Sequence, residues 1–231
     1  MRPINRGQDP TLGEHAVVFR CYQDARPHLI GRLGEYCSYC EMHLDAALAT
    51  EHVRPKSVDV ESELEWGNLL LGCVNCNSTK GSRQVVVEDY YWPDRHNTAR
   101  AIEQVAGGYI RPRASLSGEQ RARAESTIRL TGLDKVPDEK WGSDRRWINR
   151  YEAWDQAETF RRFLADSDTA ALREAIKALA VAKGFFSVWM TVFRDDADMC
   201  ERFIEAFNGT DPKCFDQNTF QPIDDIDRPW I

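Results

Sequence analysis

Two Cys-x-x-Cys pairs are the clearest chemical feature of the sequence. They are Cys37-Ser-Tyr-Cys40 and Cys73-Val-Asn-Cys76, with 32 residues between them. Each pair can present two thiolates to one ion, and two pairs complete the tetrahedral four-sulfur shell that zinc prefers. A closed shell leaves no position for substrate, so the spacing predicts a structural zinc ion. A redox pair or unliganded core cysteines are the alternatives, but a redox Cys-x-x-Cys usually occurs only once.

The segment between and just after these pairs carries the residue types that phosphodiester hydrolysis requires. His52 suits a general base, because an imidazole with a pKa of roughly 6.5 is largely neutral at cellular pH. Glu51 and Asn77 offer oxygen ligands to a catalytic Mg²⁺ or Mn²⁺ ion. Neighbouring side chains on a strand point to opposite faces, so Glu51 and His52 can serve one site only if the backbone bends or twists there.

Four basic residues near this set are candidates for contacts with the phosphates that flank a cut. They are Arg54, Lys56, Lys80 and Arg83. For each of them, a solvated surface position is an equally good interpretation. The acidic residues 59–65 would repel nucleic acid, and we expect them to form the exposed turn of a hairpin.

The order of these motifs resembles the HNH endonucleases. The resemblance is carried by the segments CSYC, EHVRPKS and WGNLLLGCVNCNSTKG. It implies a mainly α chain with a small α+β (ββα-metal), zinc-stapled HNH module. It also implies that Glu51 and Asn77 bind the catalytic metal and that His52 is the general base. Asn68 matches the middle residue of the motif, which orders the connecting loop and helps to aim the base.

Beyond the motif, the chain resembles the nuclease subunit of Septu-type and related retron anti-phage systems. This wider resemblance rests on Tyr90-Tyr-Trp-Pro-Asp94, on GFFSVWMTVF and on the end that contains Gly209. It implies cleavage of DNA, from phage or plasmid, in an antiviral defence complex with an SMC/ABC-like ATPase subunit. One such site cuts one strand at a time, so double-strand cleavage would require a homo-oligomer or repeated nicking.

Charge and composition restrict the function further. The 231 residues carry a net charge of −7, which argues against a stand-alone DNA binder with a broad basic face. An ATPase partner would supply the missing DNA surface. The sequence has no apolar run long enough for a transmembrane helix and no secretory signal, so we expect a cytoplasmic protein without membrane contact. Two alternatives stay open: an inactive zinc-stabilised scaffold or binding subunit, and an RNA (tRNA) nuclease with the same site.

The pattern of the chain predicts three regions. Residues 1–35 form an arm and a helix that Pro27 interrupts, residues 36–95 the nuclease module, and residues 96–231 a helical domain that docks a partner. Ser117 to Gln120 fits a capping box, and Gly132 is placed to end the helix that follows. Further helices are expected around residues 147–157, 169–183 and 198–207, with a break at Gly184. The scattered cysteines are expected to be small buried residues; they are Cys21, Cys200 and Cys214.

Overall fold

The computed structural model describes residues 1–137 and 144–227. Strands in these ranges pair as three antiparallel two-stranded sheets: β1 (Thr11–Leu12) with β2 (His15–Ala16), β3 (Leu48–His52) with β4 (Leu69–Cys73), and β5 (Ile102–Val105) with β6 (Tyr109–Pro112). The helices of these ranges are α1 (Arg26–Leu33), α2 (Val74–Lys80), α3 (Thr98–Ala101), α4 (Gly118–Thr131), α5 (Arg146–Asp166), α6 (Ala170–Lys183), α7 (Phe186–Val192) and α8 (Ala197–Ala206). Short 3-10 turns occur at Tyr22–Ala25, Trp66–Asn68, Val87–Asp89, Ala106–Gly108 and Pro212–Cys214. The chain is mainly helical with a small β-β-α unit, as the sequence predicts.

The β-β-α unit consists of β3, β4 and α2. Every residue of β4 is buried, and Ala49 pairs with Gly72 in the ladder while Glu51 pairs with Leu70. Helix α2 follows β4 directly, because the Cys73 side chain accepts the Cys76 backbone N–H at 3.4 Å and so caps the helix. The second cysteine pair therefore spans the junction of strand and helix.

The helices of the second half follow the sequence signals closely. The Ser117 hydroxyl accepts the Gln120 N–H at 3.3 Å, and the Gln120 side chain accepts the Ser117 N–H at 3.0 Å, which confirms the capping box. Gly132 ends α4 in the left-handed region, and Gly184 separates α6 from α7. None of the helices in the described residues combines the length and the apolar character that a membrane crossing demands.

Two local expectations are wrong. Pro27 lies in the first turn of α1, where the missing N–H has no helical partner to lose, so it begins the helix instead of interrupting it. Cys21 is exposed, with its Sγ atom 3.4 Å from Asp24, whereas Cys200 and Cys214 are buried as expected.

Two apolar cores organise the described residues. The first core joins the N-terminal arm, the β-β-α unit and α4, and it includes Ile4, Leu70 and Ile128. The second joins helices α5 to α8 around Trp189 and Phe203. The β-β-α unit thus shares its apolar core with the N-terminal arm and α4, and the three predicted regions stay a prediction.

Candidate active site and metal centre

The four cysteines of the two pairs form one buried cluster. Their Sγ atoms all lie within 4.8 Å of one another, and those of Cys40 and Cys73 are 3.7 Å apart. A tetrahedral zinc site with Zn–S bonds of about 2.3 Å has sulfur–sulfur edges of about 3.8 Å. The cluster therefore has the composition and the spacing of a structural zinc site, and it can hold that ion.

The protonation chemistry of the cluster also fits a bound cation. Burial raises the pKa of the Cys76 thiol well above its ordinary value, and hydrogen bonds from the neighbouring thiols do the same for the pKa of Cys40. Four crowded thiolates require a positive charge among them, because each disfavours ionisation of the others. Zinc supplies that charge and takes the thiolate form as its ligand.

Glu51 and Asn77 approach each other across Gly72. A Cβ atom added at Gly72 would lie 3.1 Å from the Cβ of Glu51 and 3.7 Å from the Cβ of Asn77. Both side chains therefore start next to Gly72, whose lack of a side chain leaves room for them. Within the described residues, the Asn77 amide has no hydrogen-bond partner, so its oxygen is available to a metal ion. A carboxylate and an amide oxygen are a donor set that suits Mg²⁺ or Mn²⁺.

Lys80 occupies the other side of the Glu51 carboxylate. Its ammonium lies 2.9 Å from Oε1 of Glu51 and donates to the backbone carbonyl of His52 at 2.6 Å. Lys80 is only 1% exposed. Burial raises the pKa of the Glu51 carboxyl, and the nearby ammonium opposes that rise. The expected role of Lys80 as a surface phosphate contact does not agree with this placement, because the ammonium is held in the interior by a carboxylate.

His52 is the last residue of β3, and its ring has different neighbours from those of the Glu51 carboxylate. Nε2 lies 3.0 Å from the Glu63 carbonyl, and the ring packs edge-on against Tyr22 at a centroid distance of 4.7 Å. Burial lowers the pKa of His52, which favours the neutral imidazole. The alternation of side chains along the strand accounts for the separate surroundings of His52 and Glu51.

Asn68 is fully buried and ties together both ends of the loop between β3 and β4. Its Oδ1 accepts the Arg54 N–H at 2.7 Å, and its Nδ2 donates to the Arg54 carbonyl at 3.0 Å. Nδ2 also donates to the carbonyl and the hydroxyl of Ser62 at 3.1 and 3.0 Å. The loop that Asn68 holds carries Glu63, whose carbonyl contacts the His52 ring. Asn68 thus lies where it can orient the His52 ring indirectly.

The remaining candidate phosphate contacts differ in whether acidic side chains of the protein already pair with them. Arg54 is 3.2 Å from Asp59, and Lys56 is 3.2 Å from Glu63, so both are engaged by the acidic loop. Arg83 is exposed and lines a cleft of about 410 Å³ together with Arg129 and Lys135. Arg83 is therefore the most available of the four cations to an incoming phosphate.

The structure places Glu51 and Asn77 next to Gly72 and adds Lys80, whose ion pair with Glu51 the sequence analysis missed. A signal existed, because Lys80 follows Cys76 by four residues and so shares its buried helix face. The common placement of His52 with Glu51 and Asn77 around one ion stays a prediction.

Comparison with known proteins agrees with this geometry. Residues 37–83 match the family model described as HNH endonuclease. No curated protein matches the chain. The matched segment contains both cysteine pairs, Glu51, His52, Asn68 and Asn77. The four-cysteine cluster and the family match together fit an HNH zinc motif, and they support a nuclease.

Proposed function

We propose that this protein is a metal-dependent endonuclease that hydrolyses DNA phosphodiester bonds at a site formed by Glu51, His52 and Asn77. The observation that carries the proposal is the meeting of Glu51 and Asn77 beside Gly72, within the segment that matches the HNH endonucleases. Carboxylate and amide oxygens are the ligands that a hard divalent cation takes, and a general base stands next to one of them in the sequence.

The protonation of His52 suits the base. A carbonyl oxygen only accepts hydrogen bonds, so the contact with the Glu63 carbonyl places the proton of the neutral ring on Nε2. Nδ1 then keeps its lone pair and takes a proton from the attacking water. Asn68 keeps the loop and its Glu63 carbonyl in place during this transfer. A divalent ion held by Glu51 and Asn77 would neutralise charge on the scissile phosphate and the leaving oxygen.

The biological setting that we propose is antiviral defence, with phage or plasmid DNA as substrate and an SMC/ABC-like ATPase as the partner subunit. Its support is the wider resemblance of the sequence, together with the net charge of −7. A chain with this charge gains little from long-range attraction to DNA, and a partner with a basic surface would remove that deficit.

Metal-dependent nicking of supercoiled plasmid tests the activity. The protein is exchanged into buffer without Mg²⁺ and Mn²⁺ while its zinc content is kept and verified, and it is then supplied with Mg²⁺ or Mn²⁺, with and without the proposed ATPase subunit. We expect nicking to return with the metal and to fall by roughly 10²–10⁴-fold in His52→Ala. His15→Ala, which removes an exposed histidine, is the matched control. A preference for RNA in a parallel assay would reassign the substrate, and equal activity of His52→Ala and wild type would refute the catalytic role.

An inactive, zinc-stabilised scaffold is the second candidate function. The specific observation in its favour is the ion pair between Lys80 and Glu51, which engages the proposed metal ligand with a cation of the chain itself. Under this alternative, the protein stays inactive at saturating Mg²⁺ or Mn²⁺ even with the partner present. It still binds zinc in the four-cysteine cluster.

A further inference from the structure

Arg146, the first residue of α5, places a guanidinium group beside the cysteine cluster. Its Nη1 donates to the Sγ atom of Cys76 at 3.0 Å and to the Thr131 carbonyl at 2.7 Å. Its Nη2 donates to the Gly132 carbonyl at 3.0 Å, and its Nε donates to Asp144 at 2.9 Å. The side chain is 3% exposed. A buried cation is tolerated only when its donors are satisfied, and here each nitrogen of the fork has an acceptor.

The contact with Cys76 has a chemical meaning that depends on the state of the sulfur. A neutral thiol is a weak acceptor, whereas a metal-bound thiolate accepts a charge-assisted hydrogen bond. Four thiolates around one Zn²⁺ leave a net charge of −2, which a neighbouring guanidinium offsets. The Arg146 fork therefore matches the zinc-loaded cluster better than a cluster of thiols.

The other acceptors of Arg146 belong to the end of α4. Thr131 is the last residue of that helix and Gly132 is its C-cap, so their carbonyls lack partners within the helix. One side chain thus joins the second cysteine pair on α2, the end of α4 and the start of α5. Of these elements, α2 and α4 belong to the first apolar core and α5 to the second.

The first cysteine pair has a separate attachment to the helical region. Glu41 follows Cys40 directly, and its carboxylate accepts the backbone N–H and the hydroxyl of Ser187, both at 2.7 Å. The Glu41 carbonyl accepts the Phe185 N–H at 2.8 Å. At Gly184, an added Cβ would lie 2.5 Å from that carbonyl oxygen, so only glycine permits the approach. The second cysteine pair therefore contacts α5 directly, and the first is joined to α7 through its chain neighbour Glu41.

We propose that Arg146 is a supporting residue of the zinc site and that zinc, through it, fixes the first turn of α5 against the nuclease module. The proposal rests on zinc occupancy of the cysteine cluster and is independent of nuclease activity. Outer-sphere partners of metal ligands change metal affinity by roughly 10–100-fold when they are removed. Arg146 lies outside the segment that matches the HNH family, so this support comes from the helical region.

Zinc retention by the full-length protein tests the proposal. Zinc transfer to a chromophoric chelator is followed for wild type, Arg146→Met, Arg146→Lys and Arg145→Met. We expect zinc affinity to fall 10–100-fold in Arg146→Met and less in Arg146→Lys, which keeps the charge but loses the fork. Arg145 has a side chain that is 62% exposed, so Arg145→Met is the matched control and should retain zinc as wild type does. Wild-type affinity in Arg146→Met would overturn the proposal.

Hydrogen exchange in the wild-type protein keeps the proposal testable if Arg146→Met fails to fold. The first hydrogen-bonded turn of α5 begins with the Asn149 N–H donating to the Arg145 carbonyl at 2.9 Å. Removal of zinc should accelerate amide exchange at residues 149–153, alone or together with the rest of the helical region. Unchanged exchange at these residues after verified zinc loss would overturn the coupling.

Discussion

The four-cysteine cluster and the proposed catalytic centre are built from different kinds of ligand. The zinc centre gathers four ligands of one type, all buried, from two short sequence motifs. The proposed catalytic centre depends on two ligands of different types. Glu51 lies on β3, and Asn77 lies on α2, the helix that follows the partner strand β4. In addition, the Lys80 ammonium is already in contact with the Glu51 carboxylate. The zinc centre is closed to other ligands, whereas the catalytic centre has a competing cation beside it.

This difference indicates that the two centres should respond differently to loss of their ions. Among the described residues, the cation hydrogen-bonded to the cluster is Arg146, which donates to Cys76 alone of the four sulfur atoms and so cannot take the place of zinc among four thiolates. The Glu51 carboxylate keeps the Lys80 ammonium as a partner with or without a divalent ion. Zinc should therefore determine folding, and the catalytic ion should affect chemistry far more than stability.

Removal of zinc gives the largest expected effect. Structural zinc contributes on the order of 10 kcal/mol to small metal-bound units, so a strong zinc chelator or Cys76→Ser should unfold the β-β-α unit. Circular dichroism and thermal unfolding measure this loss. Depletion of Mg²⁺ and Mn²⁺ at constant zinc should leave the unfolding curve unchanged. Cys21→Ser alters an exposed thiol outside the cluster and should match wild type. A folded, stable protein after verified zinc loss would break the comparison.

Replacement of Lys80 gives the next largest effect. Lys80→Met leaves the Glu51 carboxylate buried without its cation, and loss of one partner of a buried pair lowers the free energy of unfolding by about 3–5 kcal/mol. Urea unfolding measures the change. Lys56→Met, at a lysine whose side chain is 48% exposed, should change stability by less than about 1 kcal/mol.

A double variant separates the ion pair from other effects of the Lys80 substitution. Glu51→Gln combined with Lys80→Met removes both charges, so it should recover part of the stability lost in Lys80→Met. If Glu51 binds a divalent ion, saturating Mg²⁺ or Mn²⁺ should also stabilise Lys80→Met more than wild type. Equal stability of Lys80→Met and wild type would show that the ion pair does not hold Glu51.

The contrast between the centres also explains how far the sequence alone could predict them. The cysteine pairs are local motifs, and their spacing predicted a cluster that the structure confirms. The capping box at Ser117 and the stop at Gly132 are equally local. The spacing of Lys80 from Cys76 indicates only that Lys80 is buried, because its ion pair with Glu51 depends on tertiary packing of α2 against β3. Arg146 is 70 residues from Cys76 in the chain, so only the folded structure reveals their contact.

Acid should lower the stability of the protein at two places, the four-cysteine cluster and the buried His96 side chain. Burial and the Arg123 guanidinium lower the pKa of His96 to about 4, although Asp227 and Asp94 oppose the shift. The folded pKa lies below the unfolded value of 6.5, so His96 contributes stability above pH 6.5 that is lost as the pH falls toward 4. We expect this loss to reach about 3 kcal/mol. The thiolates of the cysteine cluster also take up protons in acid, so zinc release should add to this loss of stability.

The variant His96→Asn isolates the histidine contribution, because it retains all four cysteines. Asparagine does not titrate, and it can still accept a hydrogen bond from Arg123, which lies 2.8 Å from Nε2 of His96. Urea unfolding at pH 7 and pH 4, with zinc content measured in parallel, should show a smaller decline for His96→Asn than for wild type. Identical declines would assign the acid sensitivity to the zinc cluster and to other groups.

The smallest expected effect concerns the cleft beside α2, where Arg83 and Arg129 face solvent. If nucleic acid crosses this cleft on its way to Asn77, neutralising both arginines should reduce the salt dependence of binding. The slope of log K against log salt should fall by about 2, roughly one for each lost phosphate contact. Binding of labelled DNA to His52→Ala, with and without Arg83→Gln and Arg129→Gln, measures the slope without cleavage. Arg161→Gln with Arg162→Gln on exposed α5 is the matched control, and an equal fall there would mean that the cleft has no special part in binding.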